Sequence, residues 1–467
     1  MDNTKKNISE WYRSKVDRIG RIDGVFIEKL AARSVTLFIQ SDELKYYSNQ
    51  VMVITSTILL SNWCNNIQIV LGKDHACIVP GFENRSMKSI IEELITLNDD
   101  EISFQFNDGL LVDTDAYLSV GPLTIDNPNV VWMSADGWVS GYGRTSKTYQ
   151  KITKTNDLNP IGSVFSACLA HSVIFKIILG IEEEIEFSKW FSLYDHTRNS
   201  AAVSLANPRI PSNVDLGRII QVGCGAVGSS FDFILSLTKC SGVIELLDFD
   251  KVEPPNLISS LLFQKQNALT GDKKVDACFN ILENSHCKPK AFVGDFSEFI
   301  KSAGISENYP DLVLCFANEH NVWSTIQNNY PPIVLHATTT PNWGINFGRH
   351  IPLKEWCIVC RFGIENSNTV PVCAESVIEA SQLEKKQPMG VLPFLSPASA
   401  VIIFAELIKL NINKMPAVKN FTEFGMRSTQ HSNFRSLQMP KKEDCPVCSK
   451  QYKEVYDLYL NKSKYNS

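Results

Sequence analysis

The chain has 467 residues, 44% hydrophobic and 20% charged, with a formal net charge of -5. That size and balance support large buried cores and two or more domains, and the lack of long single-sign runs argues against a nucleic-acid footprint or a polybasic membrane patch. The opening Met-Asp-Asn-Thr-Lys-Lys leads into no apolar stretch of signal-peptide type, and no uninterrupted apolar run reaches membrane-spanning length, so the expectation is a cytoplasmic protein without membrane contact. The 13 cysteines are scattered, which suits thiols, metal ligands or a nucleophile rather than a disulfide framework.

Residues 1–45 carry Trp11, Tyr12, Val16, Ile19, Ile27 and Leu30 at near-helical spacing and read as a charged helical packing arm. From residue 46 to about 200 the pattern is that of an α/β unit. It has an apolar strand at Val51–Thr55, a short helix around Leu59–Cys64, a strand at Ile67–Leu71, a helix at Met87–Leu97, strand-like Ile102–Phe106 and Val130–Val139, and an apolar helix at Ile161–Leu179. On this reading Thr55-Ser56-Thr57 is the turn after the first strand. It has no glycine to bare backbone N–H groups, and no Asp closes the second strand, so a phosphate finds no cradle there. Ser166-Ala-Cys-Leu-Ala-His-Ser-Val-Ile-Phe is echoed by Ser396-Pro-Ala-Ser-Ala-Val-Ile-Ile-Phe, each followed by a strand (Trp190–Tyr194 and Phe421–Phe424). The echo suggests an internal duplication; the alternative is chance similarity between two buried Ala-rich helices.

Residues 201–216, with Asn207-Pro-Arg-Ile-Pro-Ser-Asn, read as a linker to a second unit at 217–450, followed by a tail at 451–467. Ile219–Val222 is a short apolar strand, and Gly223, Gly225 and Gly228, with Cys224, Ala226 and Val227 between them, form a G-x-G-x-x-G turn that opens a helix. Gly223 permits the tight turn, Gly225 lets backbone N–H groups approach a phosphate, and Gly228 lets helix and strand pack closely. Twenty residues past Gly228, Asp248 ends the next strand, Val243–Leu247, where it is placed for a ribose. NAD, FAD and ATP all suit such a unit. Further strands at Ala291–Val293, Leu312–Phe316 and Ile333–His336 complete an open α/β sheet.

The run Asp248-Phe-Asp250, Asn256-Leu257 and Gly271-Asp-Lys-Lys274 resembles the ThiF/MoeB/ubiquitin-activating superfamily, with its Gly-rich loop, D-x-D, N-L-x-R and G-x-x-K. The resemblance implies ATP as ligand, Asp248 on its ribose, Lys274 on its phosphates, and Asp250 and Asn256 in the same site. Two positions depart from the pattern: the family's Arg falls on Ser259, and the Asp that helps hold Mg²⁺ falls on Asn318. Glu319 or Asp250 are the substitutes for that carboxylate, and Lys273 for the charge. A degenerate, non-catalytic domain is the alternative.

Cys357-Ile-Val-Cys360 and Cys445-Pro-Val-Cys448 supply four thiolates in the pattern of a closed structural Zn²⁺ site. Cys373, in Val370-Pro-Val-Cys-Ala-Glu, resembles the catalytic cysteine of ubiquitin-activating enzymes; its bland reading is a small apolar core residue. The segment from His336 to Phe362 is similar to the activating enzymes of bacterial antiphage conjugation operons. The expectation is therefore two Rossmann-like ThiF-type domains in tandem, the first a pseudo-adenylation domain and the second active. Such an enzyme would adenylate the C-terminus of a ubiquitin-like protein, carry it as a thioester on Cys373 and pass it to a conjugating-type enzyme, with a homodimer possible. Competing expectations are a sulfur-carrier adenylyltransferase that forms no thioester and a scaffold that binds a ubiquitin-like protein without catalysis.

Overall fold

The computed structural model describes residues 8–22, 27–155, 157–181, 186–198, 207–303, 309–317, 320–329, 331–340, 342–351, 355–362, 390–412, 419–445, 447, 453–454, 457 and 461–466. Asn318, Glu319, Cys373 and Cys448 lie outside those residues.

In the first half, Ser9 caps α1 (Glu10–Gly20), its hydroxyl accepting from Tyr12 N at 3.1 Å. Then come β1 (Ser34–Ile39), α2 (Tyr47–Ser61), β2 (Asn66–Leu71), α3 (Met87–Asn98), β3 (Ser103–Asn107), β4 (Ala116–Val120), β5 (Val130–Asp136), β6 (Val139–Arg144), α4 (Ile161–Leu179) and β7 (Phe187–Ser192). The sheet order is β3-β2-β1-β4-β5-β6-β7, parallel through β5 and antiparallel beyond it.

Three expectations are corrected here. Val51–Thr55 is not a strand but the interior of α2, which also absorbs the first half of the expected helix at Leu59–Cys64, so Thr55-Ser56-Thr57 is not a turn. Every residue of α2 is buried, which erases the one-sided apolar stripe that marks a surface helix; a buried run of β-branched residues then looks the same as a buried strand. The middle one of the five parallel strands, β1, lies inside the stretch expected to be a helical arm. Finally, Val130–Val139 is not one strand but β5, a turn at Gly137 with φ +56°, and the start of β6.

The second half holds β8 (Asp215–Val222), α5 (Ala226–Ser236), β9 (Ser241–Asp248), α6 (Pro254–Leu257), α7 (Lys274–Glu283), β10 (Cys287–Val293), β11 (Leu312–Cys315), β12 (Val334–Thr340), β13 (Gly344–His350), α8 (Leu395–Asn411), β14 (Phe421–Gly425) and β15 (Phe434–Leu437). Its sheet runs β10-β9-β8-β11-β12-β13-β14-β15, parallel through β12 and antiparallel beyond it. Parallel strands covered on both faces read as unbroken apolar runs, which is why Ile219–Val222 and Leu312–Cys315 are plain in the sequence. The order reverses between β8 and β11. A doubly wound sheet opens its ligand crevice at such a switch point.

The two sheets share the first seven places of their strand order, and one hydrophobic core spans both halves. Between the sheets, α8 packs on both α5 and α4, and α4 packs on α2. Helix α4 is long and apolar enough to cross a membrane by length and composition alone, but 94% of its apolar window is buried inside the protein.

Polar ties reinforce the junction. Tyr47 Oη donates to Leu237 O at 2.8 Å, and Asn62 Nδ2 donates to Ile258 O and Ser260 O at 3.2 Å each. Lys265 reaches Asp100 at 2.6 Å and Glu101 at 3.0 Å. Buried Lys409 donates to Leu193 O and Tyr194 O at 3.1 Å each and pairs with Glu406, which also meets His196 at 3.3 Å. Burial opposes the Glu406 charge, yet Lys409 and His196 hold its pKa down to about 2.

Candidate nucleotide site

β8 delivers the glycine loop to the switch point. Gly223 has φ +98° and its N–H donates to Leu247 O at 2.9 Å; a Cβ there would stand 3.2 Å from Ala317 N, just past β11. Gly225 is the N-cap of α5 with φ -69°, a value any residue adopts, and a Cβ added to it meets no protein atom within 4 Å. What glycine provides there is room. Gly228 is the opposite case, since its Cβ would lie 2.1 Å from Gly223 O. The first backbone bond into the helix runs from Ser229 N to Gly225 O at 2.8 Å, so the helix gives no acceptor to the N–H groups of Ala226, Val227 and Gly228. A free helix N-terminus beside an open space is an anion site.

Asp248 ends β9 and locks this loop to the next. Its Oδ2 accepts from Cys224 N at 2.7 Å and its Oδ1 from Asp250 N at 2.8 Å. Burial raises its pKa, against the pull of Lys274. Asp250 Oδ2 pairs with Lys274 Nζ at 2.8 Å, and Lys274 N donates to Asp250 O at 3.0 Å. The structure thus joins Cys224 of the glycine loop, Asp248, Asp250 and Lys274 through one chain of contacts. Asn256 has a local task, its Oδ1 accepting from Glu253 N at 2.9 Å in a capping box that starts α6. Lys273 donates to Phe249 O at 2.9 Å, and Ser259 is buried in the segment that Asn62 clamps.

Away from this crevice, Cys357 Sγ lies 3.7 Å from Cys360 Sγ and 3.6 Å from Cys445 Sγ, all three buried and able to hold a metal ion together. Tetrahedral Zn²⁺ with Zn–S bonds of about 2.3 Å spaces its sulfurs about 3.8 Å apart, so the described thiols fit that ion.

The sequence reading missed a second buried group, Cys224, Asp232 and Cys278, with Gln221 against it. These residues sit on separate elements and only folding gathers them. The one local signal was an acid in the apolar run Phe231-Asp-Phe-Ile, since a buried acid needs partners.

The model of the ThiF family matches residues 212–447, half of the chain, and the chain belongs to that family. It is an adenylyltransferase-type enzyme, of the class that adenylates a substrate carboxylate with ATP. None of the curated proteins matches it. Among similar solved structures are E. coli MccB (15% identity, 69% of this chain and 95% of that one, TM-score 0.39) and its complex with ATP (15%, 68% and 98%, TM-score 0.38). Another is the Microcin C7 biosynthetic enzyme MccB with N-formylated MccA (14%, 68% and 98%, TM-score 0.37).

Proposed function

We propose that this protein activates a ubiquitin-like protein. The observation that carries the reading is the contact chain from Cys224 in the glycine loop through Asp248 and Asp250 to Lys274, which gathers beside an open helix N-terminus the acid and the cation that the family resemblance gives to ribose and phosphate. ATP would lay its phosphates at the N-terminus of α5 and its ribose by Asp248. The modifier's C-terminal carboxylate oxygen attacks the α-phosphorus, the bond to the β-phosphate oxygen breaks, and pyrophosphate leaves. The Cys373 thiolate then attacks the acyl carbon, AMP departs, and a thioester remains for a conjugating-type enzyme. Mg²⁺, with Asp250 as the carboxylate beside the phosphates, would neutralise their charge. The Cys357, Cys360, Cys445 and Cys448 thiolates would hold Zn²⁺, closed to substrate by its four ligands. The family resemblance of Val370-Pro-Val-Cys373 supports the thioester, and that of His336–Phe362 supports a role in antiviral defence.

Pyrophosphate exchange tests this. Exchange needs the cradle and the modifier but no thiol, so Cys373→Ala should keep it within about twofold and lose every reductant-sensitive adduct with the modifier. Exchange by wild type with no adduct would point to a sulfur-carrier adenylyltransferase. Absence of both would favour a scaffold, a reading that Ser259 and Asn318 at two family positions keep in play.

The shared strand order supports an inactive first copy of the same fold. There the loop after β1 carries Asp42 and Glu43 in place of glycines. Asn49, in the first turn of α2, donates to Glu43 O and Oε2 at 2.9 and 3.0 Å, and Lys154 Nζ fills in behind, donating to Asn49 Oδ1 at 2.8 Å and Ala135 O at 2.6 Å. Acid and lysine occupy the place a phosphate would take. Photo-crosslinking with an azido-ATP should label peptides only within 212–447; a label within 34–198 would refute an empty first half.

A further inference from the structure

We propose that Cys224, Asp232 and Cys278 form a second, mixed thiolate–carboxylate site for a thiophilic divalent cation such as Zn²⁺, directly beneath the glycine loop. All three are buried, and their ligand atoms lie within 4.8 Å of one another. Asp232 Oδ2 accepts from Gln221 Nε2 at 2.9 Å and the Cys278 thiol lies against the same carboxyl, but no N–H or O–H group reaches Asp232 Oδ1. Native interiors seldom leave such atoms unsatisfied without an ion or water to meet them. The donor set is also selective. Two sulfurs and a carboxylate oxygen suit Zn²⁺, whereas Mg²⁺ and Ca²⁺ take oxygen alone. Gln221 Nε2 donates to Asp232 Oδ2 and, at 3.8 Å, to Cys224 Sγ, and so holds these two ligands side by side. Binding releases the two thiol protons, and a third if Asp232 is protonated, while Zn²⁺ undergoes no redox change.

The placement gives the ion a task. Cys224 lies inside the glycine loop, Asp232 on α5, and Cys278 on α7, the helix that Lys274 opens. One ion would tie together the three elements that hold ATP. The site shares no residue with the Cys357–Cys360–Cys445 group, which belongs to a different core cluster.

Metal analysis of the full-length protein, purified without chelator, tests this whatever the enzyme's substrate. Wild type should carry two zinc ions per chain, Cys445→Ser one, Cys278→Ser one, and the double variant none. After exchange with Co²⁺, thiolate-to-metal charge transfer per ion should be about half as strong in Cys445→Ser, with two thiolates, as in Cys278→Ser, with four. Cys278→Ser protein that holds as much metal as wild type would overturn the proposal. A wild-type cobalt spectrum in which every bound ion has four-thiolate intensity needs no variant to fold and would also overturn it. So would an intact mass two hydrogens low that dithiothreitol restores, which marks a Cys224–Cys278 disulfide instead.

Discussion

Gly228→Ala is expected to lower the melting temperature and abolish ATP binding, while Gly225→Ala, three residues away, should leave the melting temperature unchanged within about 1 °C and still weaken ATP binding about tenfold or more. Alanine is the better helix former by roughly 0.5–1 kcal/mol at Gly228, inside α5, but brings no such gain at Gly225, the N-cap. At Gly228 that gain is lost to a Cβ 2.1 Å from Gly223 O, a separation that forces helix and loop apart. Overpacking of this kind costs about 1–3 kcal/mol, or roughly 1–3 °C for a protein of this size. At Gly225 the added methyl meets no protein atom within 4 Å, so its only conflict is with a ligand drawn to the helix N-terminus. Thermal melts paired with ATP titrations separate the two effects. Equal losses of stability, or unaltered ATP affinity in Gly225→Ala, would count against phosphate binding at this loop.

Cys445→Ser should produce the largest fall in thermal stability of any single thiol substitution. Cys445 meets Cys357 across 88 residues of chain, so an ion held there closes a long loop and fastens the segment after β15 to the segment after β13. Structural Zn²⁺ contributes about 10–16 kcal/mol of apparent binding energy in small peptide domains at neutral pH. Even half of that would move the melting temperature by about 5–8 °C in a protein of this length. Calorimetry of wild type with and without a strong chelator, then with zinc restored, checks it: the loss should be reversible in wild type and already present in the variant. Because thiols must shed protons to bind, the stabilisation should also fade as pH drops. An unchanged melt in Cys445→Ser would rule out a structural ion there.

How much of this could be read from residues alone depended on how local the signal was. The glycine loop, Asp248 and the Asp250–Lys274 pair belong to short motifs whose backbone demands are written in consecutive residues, and the structure brings them together at the switch point. The first half offered no such anchor. Its α2 is buried all round, so its periodicity carries no phase, and β1 is six residues long behind a charged helix. Asn256 has the residue type a ligand contact needs, but its Oδ1 serves the capping box that starts α6. The Cys224–Asp232–Cys278 group had no sequence spacing to betray it, because three elements meet only in the fold.

The single core spanning both halves also sets a schedule for synthesis. Helix α4 emerges early, yet α8, which covers one of its faces, is made roughly two hundred residues later, a wait of about 10–40 s at ordinary elongation rates. Throughout that interval the nascent chain displays an apolar helix of membrane-spanning length with one flank bare. Chaperones that shield such surfaces should therefore govern yield more strongly than the stability of the finished protein does, and slowing translation between residues 180 and 395 should favour aggregates over folded product.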